Sequence, residues 1–181
     1  MLISDRDGVL FDTCKANFQS YLRASKALGL TTQEPELLNA IHSGEGLTDF
    51  FRTVWGELST AELNLLRSTK SEYFNENIAN VRINHDFIES FLVNERNPYL
   101  VTRASLASTE FLINHFGLDF FDNRVISASE YTSKVDVFTF ICTSHNLDRA
   151  RVKIVDDSPK IITASTEAGF FAIQYPHFCS S

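Results

Sequence analysis

Asp5 and Asp7 flank Arg6 and are followed at once by Gly8, and their type and spacing are the clearest chemical signal in the chain. They come directly after the short apolar stretch Leu2-Ile3. A strand that stops at Ser4 leaves both carboxylates on the loop at its carboxyl end, where open α/β sheets place their ligand sites. Side chains two apart in an extended segment point the same way, so the two carboxylates crowd and repel. A divalent cation relieves that repulsion. Hard oxygen donors favour Mg²⁺, which keeps waters and substrate oxygens in its shell. The opening therefore reads as a metal-assisted carboxylate site suited to a phosphorylated substrate. The same run also fits a simple turn, with Asp bonding its own backbone and Gly supplying a positive φ. The rest of the chain decides between the two.

The elements that would hold this site alternate. Beyond residues 2–4, short apolar runs at Tyr99-Leu100-Val101, Arg124–Ser127, Val152–Val155 and Phe170–Gln174 read as strands. Helical spacing fills Ser105–His115, Val135–His145 and Pro159–Ala168 between them, and an earlier helix runs from Asp86 to Val93. Such alternation predicts an α/β fold with a five-stranded parallel sheet covered on both faces. Residues 13–81 break the pattern. Apolar residues at three- and four-residue spacing, with a capping box at Ser59-Thr60-Ala61-Glu62, make this block nearly all helix. Helices are expected to start near Cys14, Thr32, Leu47 and Ser59, and His42–Gly46 reads as a loop. The block is thus an inserted helical domain (13–81) within a discontinuous core domain (1–12 and 82–181).

In a parallel sheet the carboxyl ends of all strands share one edge. Asp5 and Asp7 follow the first strand, Thr102 and Arg103 the second, and Asp156, Asp157 and Ser158 the fourth, while Lys134 opens the helix after the third. Each alone has a plain structural reading: Thr102 or Asp156-Asp157 as helix caps, Lys134 as a solvated helix residue. Their joint occurrence in this order is harder to dismiss.

Composition narrows the partners. The 181 residues carry a formal charge of −7 and no concentrated basic cluster, which argues against nucleic acid. Hydrophobic residues make up 44% and include 16 Phe, enough for a substantial core. Cys14, Cys142 and Cys179 are far apart and odd in number, which fits reduced thiols better than disulfides or a zinc site. No run approaches membrane-spanning length, and Met1-Leu2-Ile3 leads straight into Asp5 without a signal peptide. The expectation is a cytoplasmic protein, a monomer or homodimer, acting on a small phosphorylated metabolite.

The ordered set resembles the haloacid dehalogenase superfamily, in the branch of phosphoglycolate phosphatase and β-phosphoglucomutase. The motifs are Asp5-Arg6-Asp7-Gly8-Val9-Leu10-Phe11-Asp12-Thr13, Leu100-Val101-Thr102, Lys134, and Ile154-Val155-Asp156-Asp157-Ser158 with the downstream Ala168-Gly169. The helical insertion stands where that family carries its C1 cap. The resemblance implies a Mg²⁺-dependent phosphatase. Asp5 would be the nucleophile, forming an aspartyl-phosphate. Asp7 would be the general acid and then the base, with its backbone carbonyl on the metal. Asp5 and Asp157 would supply metal carboxylates, with Asp156 a partner or further ligand. Thr102 and Lys134 would hold the phosphoryl oxygens, joined by the amides of Arg6 and Asp7. Substrate contacts are thereby expected from Arg6, Thr102, Arg103 and Lys134.

Three positions depart from the branch. Arg6 replaces an apolar residue, Arg103 replaces Asn, and Lys134-Val135-Asp136-Val137 lacks the usual Lys-Pro-x-Pro. Arg103 suits either a second anionic group or a pairing with an acid, the pairing being preferred. An Asp-Arg-Asp-Gly opening also occurs in histidinol-phosphate and heptose-bisphosphate phosphatases, but their Cys/His zinc loop is missing here. A mutase of the β-phosphoglucomutase type is the nearest alternative, yet Asn17 stands where that enzyme has His. A dehalogenase needs neither Asp7 nor Asp156-Asp157. A phosphonate hydrolase needs a cap lysine, and Ile41–Phe51 contains none. An inactive binding protein would be expected to have lost one of Asp5, Asp7 and Asp157.

Overall fold

The computed structural model describes residues 1–43 and 47–179. The expected loop at His42–Gly46 therefore lies largely outside the described residues. The chain separates into two compact units, Met1–Asp12 with Ile83–Ser181, and Thr13–Arg82.

The first unit is built on five parallel strands. They are β1 (Leu2–Ser4), β4 (Tyr99–Thr102), β5 (Val125–Ser127), β6 (Lys153–Asp156) and β7 (Phe171–Gln174), in the order β5-β4-β1-β6-β7. Leu2 and Ile3 are fully buried, which is the condition of a central strand covered on both faces. Ile3 pairs with Tyr99 on one side and Ile154 on the other, and Ser4 pairs with Leu100 and Val155. This register places Asp5, Thr102 and Asp156 at the same edge. The edge strands β5 and β7 are only partly buried, as expected where one side lacks a neighbour.

Three helices complete the alternation: α6 (Leu106–Phe116), α7 (Lys134–Ser144) and α8 (Pro159–Glu167). Ser105 caps α6 by accepting from Ser108 N, and Gly117 ends it at φ 64°. Pro159 opens α8, where its missing N–H costs nothing. One face of the sheet packs Ile3, Val101 and Ile154 against Val137, Phe138, Ile141 and Cys142 of α7, and Phe170 joins them. The expected helix at Asp86–Val93 is a single α-turn, α5 (His85–Phe87), widening into a π-turn over Ile88–Leu92. Asn84 sets it in place. Its Oδ1 accepts from Phe87 N at 3.1 Å, and its Nδ2 donates to Val9 O at 2.8 Å. Two short strands were not legible in the sequence, β2 (Phe11–Asp12) and β3 (Arg82–Ile83), which pair with each other.

The second unit is helical: α1 (Cys14–Ala27), α2 (Glu34–Ser43), α3 (Leu47–Trp55) and α4 (Thr60–Glu76). Its core joins Ala24, Leu37, Phe51 and Leu66, with the rings of Phe51 and Trp55 stacked at 4.8 Å. The capping box is present, Ser59 and Glu62 satisfying each other's backbone N–H.

Phe138 lies at the centre of the sheet–α7 contact, 2% exposed and edge-on to Phe170. Phe138→Ala should destabilise the first unit by about 3–5 kcal/mol, the usual cost of such a cavity. The check is a shift of the urea midpoint with little change in slope.

Candidate active site

β1 ends at Ser4, and the backbone of Asp5 continues the ladder by donating to Val155 O at 2.9 Å. The chain then turns sharply: Leu10 N and Phe11 N both donate to Arg6 O, and Gly8 N to Phe11 O. Gly8 sits at φ +77°, and a Cβ there would run into the Asp157 carboxylate and the His177 ring. Glycine is needed for both reasons, the left-handed backbone and the close approach.

The centre of the site is a buried cation between two carboxylates. Lys134 Nζ lies 2.7 Å from Asp5 Oδ2 and 2.9 Å from Asp156 Oδ2. All three residues are at most 9% exposed. Lys134 is the first residue of α7, and a capping box at Ser133 and Asp136 fixes that start. The box fixes the helix start without the prolines usual beside this lysine. Burial alone would lower the Lys134 ammonium, but the charges of Asp5 and Asp156 outweigh it and hold it well above the usual lysine range. Asp5 is pushed up to about 7, by burial first. Lys134 opposes this shift, while the charges of Asp156 and Asp7 add to it.

The remaining expected residues fall into distinct places. Asp5 Oδ1 accepts from Arg6 N at 2.6 Å. Thr102 is buried at the end of β4, and its Oγ1 accepts from Ala104 N at 3.1 Å. Asp156 Oδ1 accepts from Ser158 N at 3.0 Å, so both of its oxygens are engaged. Asp157 meets the imidazole of His177 through Oδ2. That hydrogen bond raises the His177 pKa, with burial opposing it and the charges of Asp157, Asp12 and Asp7 adding to it. Arg103 is exposed, and no ion pair with it is found among the described residues, so the preferred pairing with an acid is not seen.

Arg6 differs most from what its position suggested. It is 2% exposed, and its guanidinium donates to Asp7, Ser108 and Thr109. The side chain is thereby turned to its neighbour Asp7 and to α6. The backbone N–H of Arg6 is the donor to Asp5 Oδ1.

Carboxylate oxygens of Asp5, Asp156 and Asp157 all lie within 4.8 Å of one another. An all-oxygen, all-anionic donor set suits a hard divalent cation. Both oxygens of Asp5 and both of Asp156 already accept hydrogen bonds, from Arg6 N and Lys134 in the first case and from Ser158 N and Lys134 in the second.

The family model for haloacid dehalogenase-like hydrolases matches residues 2–174. The chain belongs to this family. No curated protein matches it in sequence. Solved structures share the fold of this haloacid dehalogenase-like hydrolase. One is a predicted phosphoglycolate phosphatase from Haemophilus somnus, with TM-score 0.75 and 18% identity over 98% of this chain and 85% of that one. Another is CbbY from Rhodobacter sphaeroides in complex with phosphate, with TM-score 0.76 and 19% identity over 98% and 86%. A third is a putative phosphatase from Clostridium difficile, with TM-score 0.74 and 20% identity over 99% and 86%.

Sequence reasoning missed Ser108, Thr109 and His177. Ser108 and Thr109 read as ordinary first-turn helix residues, and their one signal was the charged Arg6 in an apolar position. His177 stands in no motif.

The hydrolase's buried cluster makes a pH-dependent prediction. Asp5 titrates near 3.8 when unperturbed and near 7 when folded. Between those values the folded state holds the proton more tightly, so the stability this group confers is fullest at low pH and falls as pH rises toward 7. With divalent cations chelated, Asp5→Asn should melt progressively higher relative to wild type from about pH 5 to about pH 8. Thermal melts of both proteins across that range check this, and a constant gap contradicts it.

Proposed function

We propose that this hydrolase cleaves small phosphate monoesters with the help of Mg²⁺, through an aspartyl-phosphate on Asp5. The observation that carries the reading is the ammonium of Lys134 held between Asp5 and Asp156 at the carboxyl edge of the central strands. A carboxylate alone repels a phosphate dianion. A fixed cation against Asp5 lowers that repulsion and can contact a transferring phosphoryl oxygen.

In this reading an Asp5 oxygen attacks phosphorus and the ester P–O bond breaks. Asp7 gives its proton to the departing oxygen. Asp7 then takes a proton from water as that water attacks the phosphoryl group, and Asp5 is released as a carboxylate with inorganic phosphate. Thr102 and the amides of Arg6 and Asp7 are assigned to the phosphoryl oxygens. Asp5, Asp157 and the backbone carbonyl of Asp7 are assigned to the metal, with Asp156 fixing Lys134 behind them. Bound Mg²⁺ would supply positive charge against the nucleophile and the phosphate.

Family membership supports hydrolysis. A predicted phosphatase and a phosphate-bound protein among the similar structures support phosphate as the group handled. The helical unit, residues 13–82, is assigned as a cap that selects the substrate. Mutase activity is not expected, because Asn17 cannot serve as the proton-sensing residue that His supplies.

A screen of phosphate monoesters with Mg²⁺ tests the activity. Asp5→Asn should cost turnover several orders of magnitude. Asp157→Ala should chiefly weaken Mg²⁺ affinity, whereas Asp7→Asn should largely keep it. Turnover assays and calorimetric Mg²⁺ titrations measure these. Appreciable turnover by Asp5→Asn rejects the covalent route, and equal affinity loss in the other two rejects the assignment of roles.

A further inference from the structure

Arg6 is a fully buried arginine placed between two functional aspartates. Its Nε donates to Asp7 Oδ2 at 3.0 Å, and its Nη2 donates to Asp7 Oδ1 and Oδ2 at 3.0 and 2.8 Å. The far side of the same guanidinium is tied down. Nη1 donates to Ser108 Oγ and Thr109 Oγ1, each at 3.1 Å. Thr109 is itself buried and donates to Ser105 O at 3.0 Å. The guanidinium thus links the first turn of α6 to the carboxylate of Asp7.

We propose that Arg6 is a positioning residue that clamps the Asp7 carboxylate in one rotamer for proton transfer. The inference rests on the reading of Asp7 as the acid and base of the reaction. The side chain of Asp7 is 35% exposed, and an aspartate side chain has several staggered positions among which a neighbour can select. A planar, forked donor that meets both oxygens fixes direction as well as place. Proton transfer is steep in geometry, because donor and acceptor must come within hydrogen-bond reach of the reacting oxygen. The clamp bears on both half-reactions. The proton leaves Asp7 for the alcohol oxygen as the ester bond breaks. A proton from water returns to Asp7 as the Asp5–phosphate bond breaks.

An apolar residue at this position could not do this. A lysine could do it only in part, since it keeps the charge and loses the fork. The substitution of Arg for an apolar side chain between the two aspartates is thereby explained through Asp7, with no substrate contact by the guanidinium.

The test is a double-mutant cycle with p-nitrophenyl phosphate and Mg²⁺, using Arg6→Gln, Arg6→Lys, Asp7→Asn and the two Arg6 variants on the Asp7→Asn background. Nitrophenolate departs without a proton, so Arg6→Gln should retain its first-turnover burst. Its steady-state kcat should fall about 10- to 100-fold, part of what acid–base catalysis contributes, and KM should fall with it so that kcat/KM changes little. Arg6→Lys should recover part of that loss. On the Asp7→Asn background, either Arg6 substitution should cost no more than about twofold, because a clamp has nothing left to hold. Losses of the same size on both backgrounds would overturn the proposal, as they would mark general structural damage. So would wild-type turnover by Arg6→Gln alongside an impaired Asp7→Asn. If Asp7→Asn is itself unimpaired, the acid–base reading of Asp7 fails and the clamp fails with it. Thermal unfolding accompanies each variant. Should Arg6→Gln not fold, the Arg6→Lys cycle is read by the same criteria.

Discussion

One ammonium group holds this site together. Lys134 stands between Asp5 and Asp156 with almost no solvent around it. Two carboxylates this close would drive each other toward protonation, and a lone buried lysine would shed its proton. Together they are tolerable because each charge is hydrogen-bonded and opposed. The arrangement still leaves one negative charge in excess. With both carboxylates ionised, that excess would suit a further cation beside them. Burial, with the charges of Asp156 and Asp7 adding to it, lifts Asp5 despite the lysine beside it.

The parallel sheet exists, in functional terms, to make this cluster. Asp5 follows β1 and Asp156 ends β6, and the register between those strands brings the two carboxylates to the same edge. Lys134 arrives from a third direction, set by a helix start that Ser133 and Asp136 specify. Three chain segments therefore meet at one nitrogen. Gly8 lets the loop beyond Asp5 turn close enough for Asp157 to come against it. A side chain at that point would collide with the Asp157 carboxylate and the His177 ring.

The strand pattern was legible in the sequence because strands buried on both faces read as short, nearly continuous apolar runs. Leu2-Ile3 and Ile154-Val155 are of that kind. So were Gly117 beyond α6, Pro159 at the start of α8 and the box at Ser59, since each reports a local backbone requirement. The two-residue strands β2 and β3 carry too little pattern to be seen. The π-turn at Ile88–Leu92 hides behind ordinary helical spacing. In the site, the positions of the aspartates followed from strand ends. The orientation of Arg6 did not, because it depends on hydroxyls a hundred residues away in sequence, on α6. His177 was invisible for the same reason. Long-range partners leave no mark in local spacing.

The centrality of β1 has a consequence for how the chain reaches this state. Ile3 pairs with Tyr99 on one flank and with Ile154 on the other, and the entire helical unit intervenes before the first of these partners. The middle of the sheet thus depends on its most distant segments. Loops of that length are entropically slow to close, and parallel pairing offers no hairpin to start from. During synthesis the helical unit can assemble from neighbours in sequence, while Leu2 and Ile3 wait as an exposed apolar strand until β6 is available. That interval is when this chain is most open to self-association, and it is one in which a chaperone that shelters extended apolar segments would matter most.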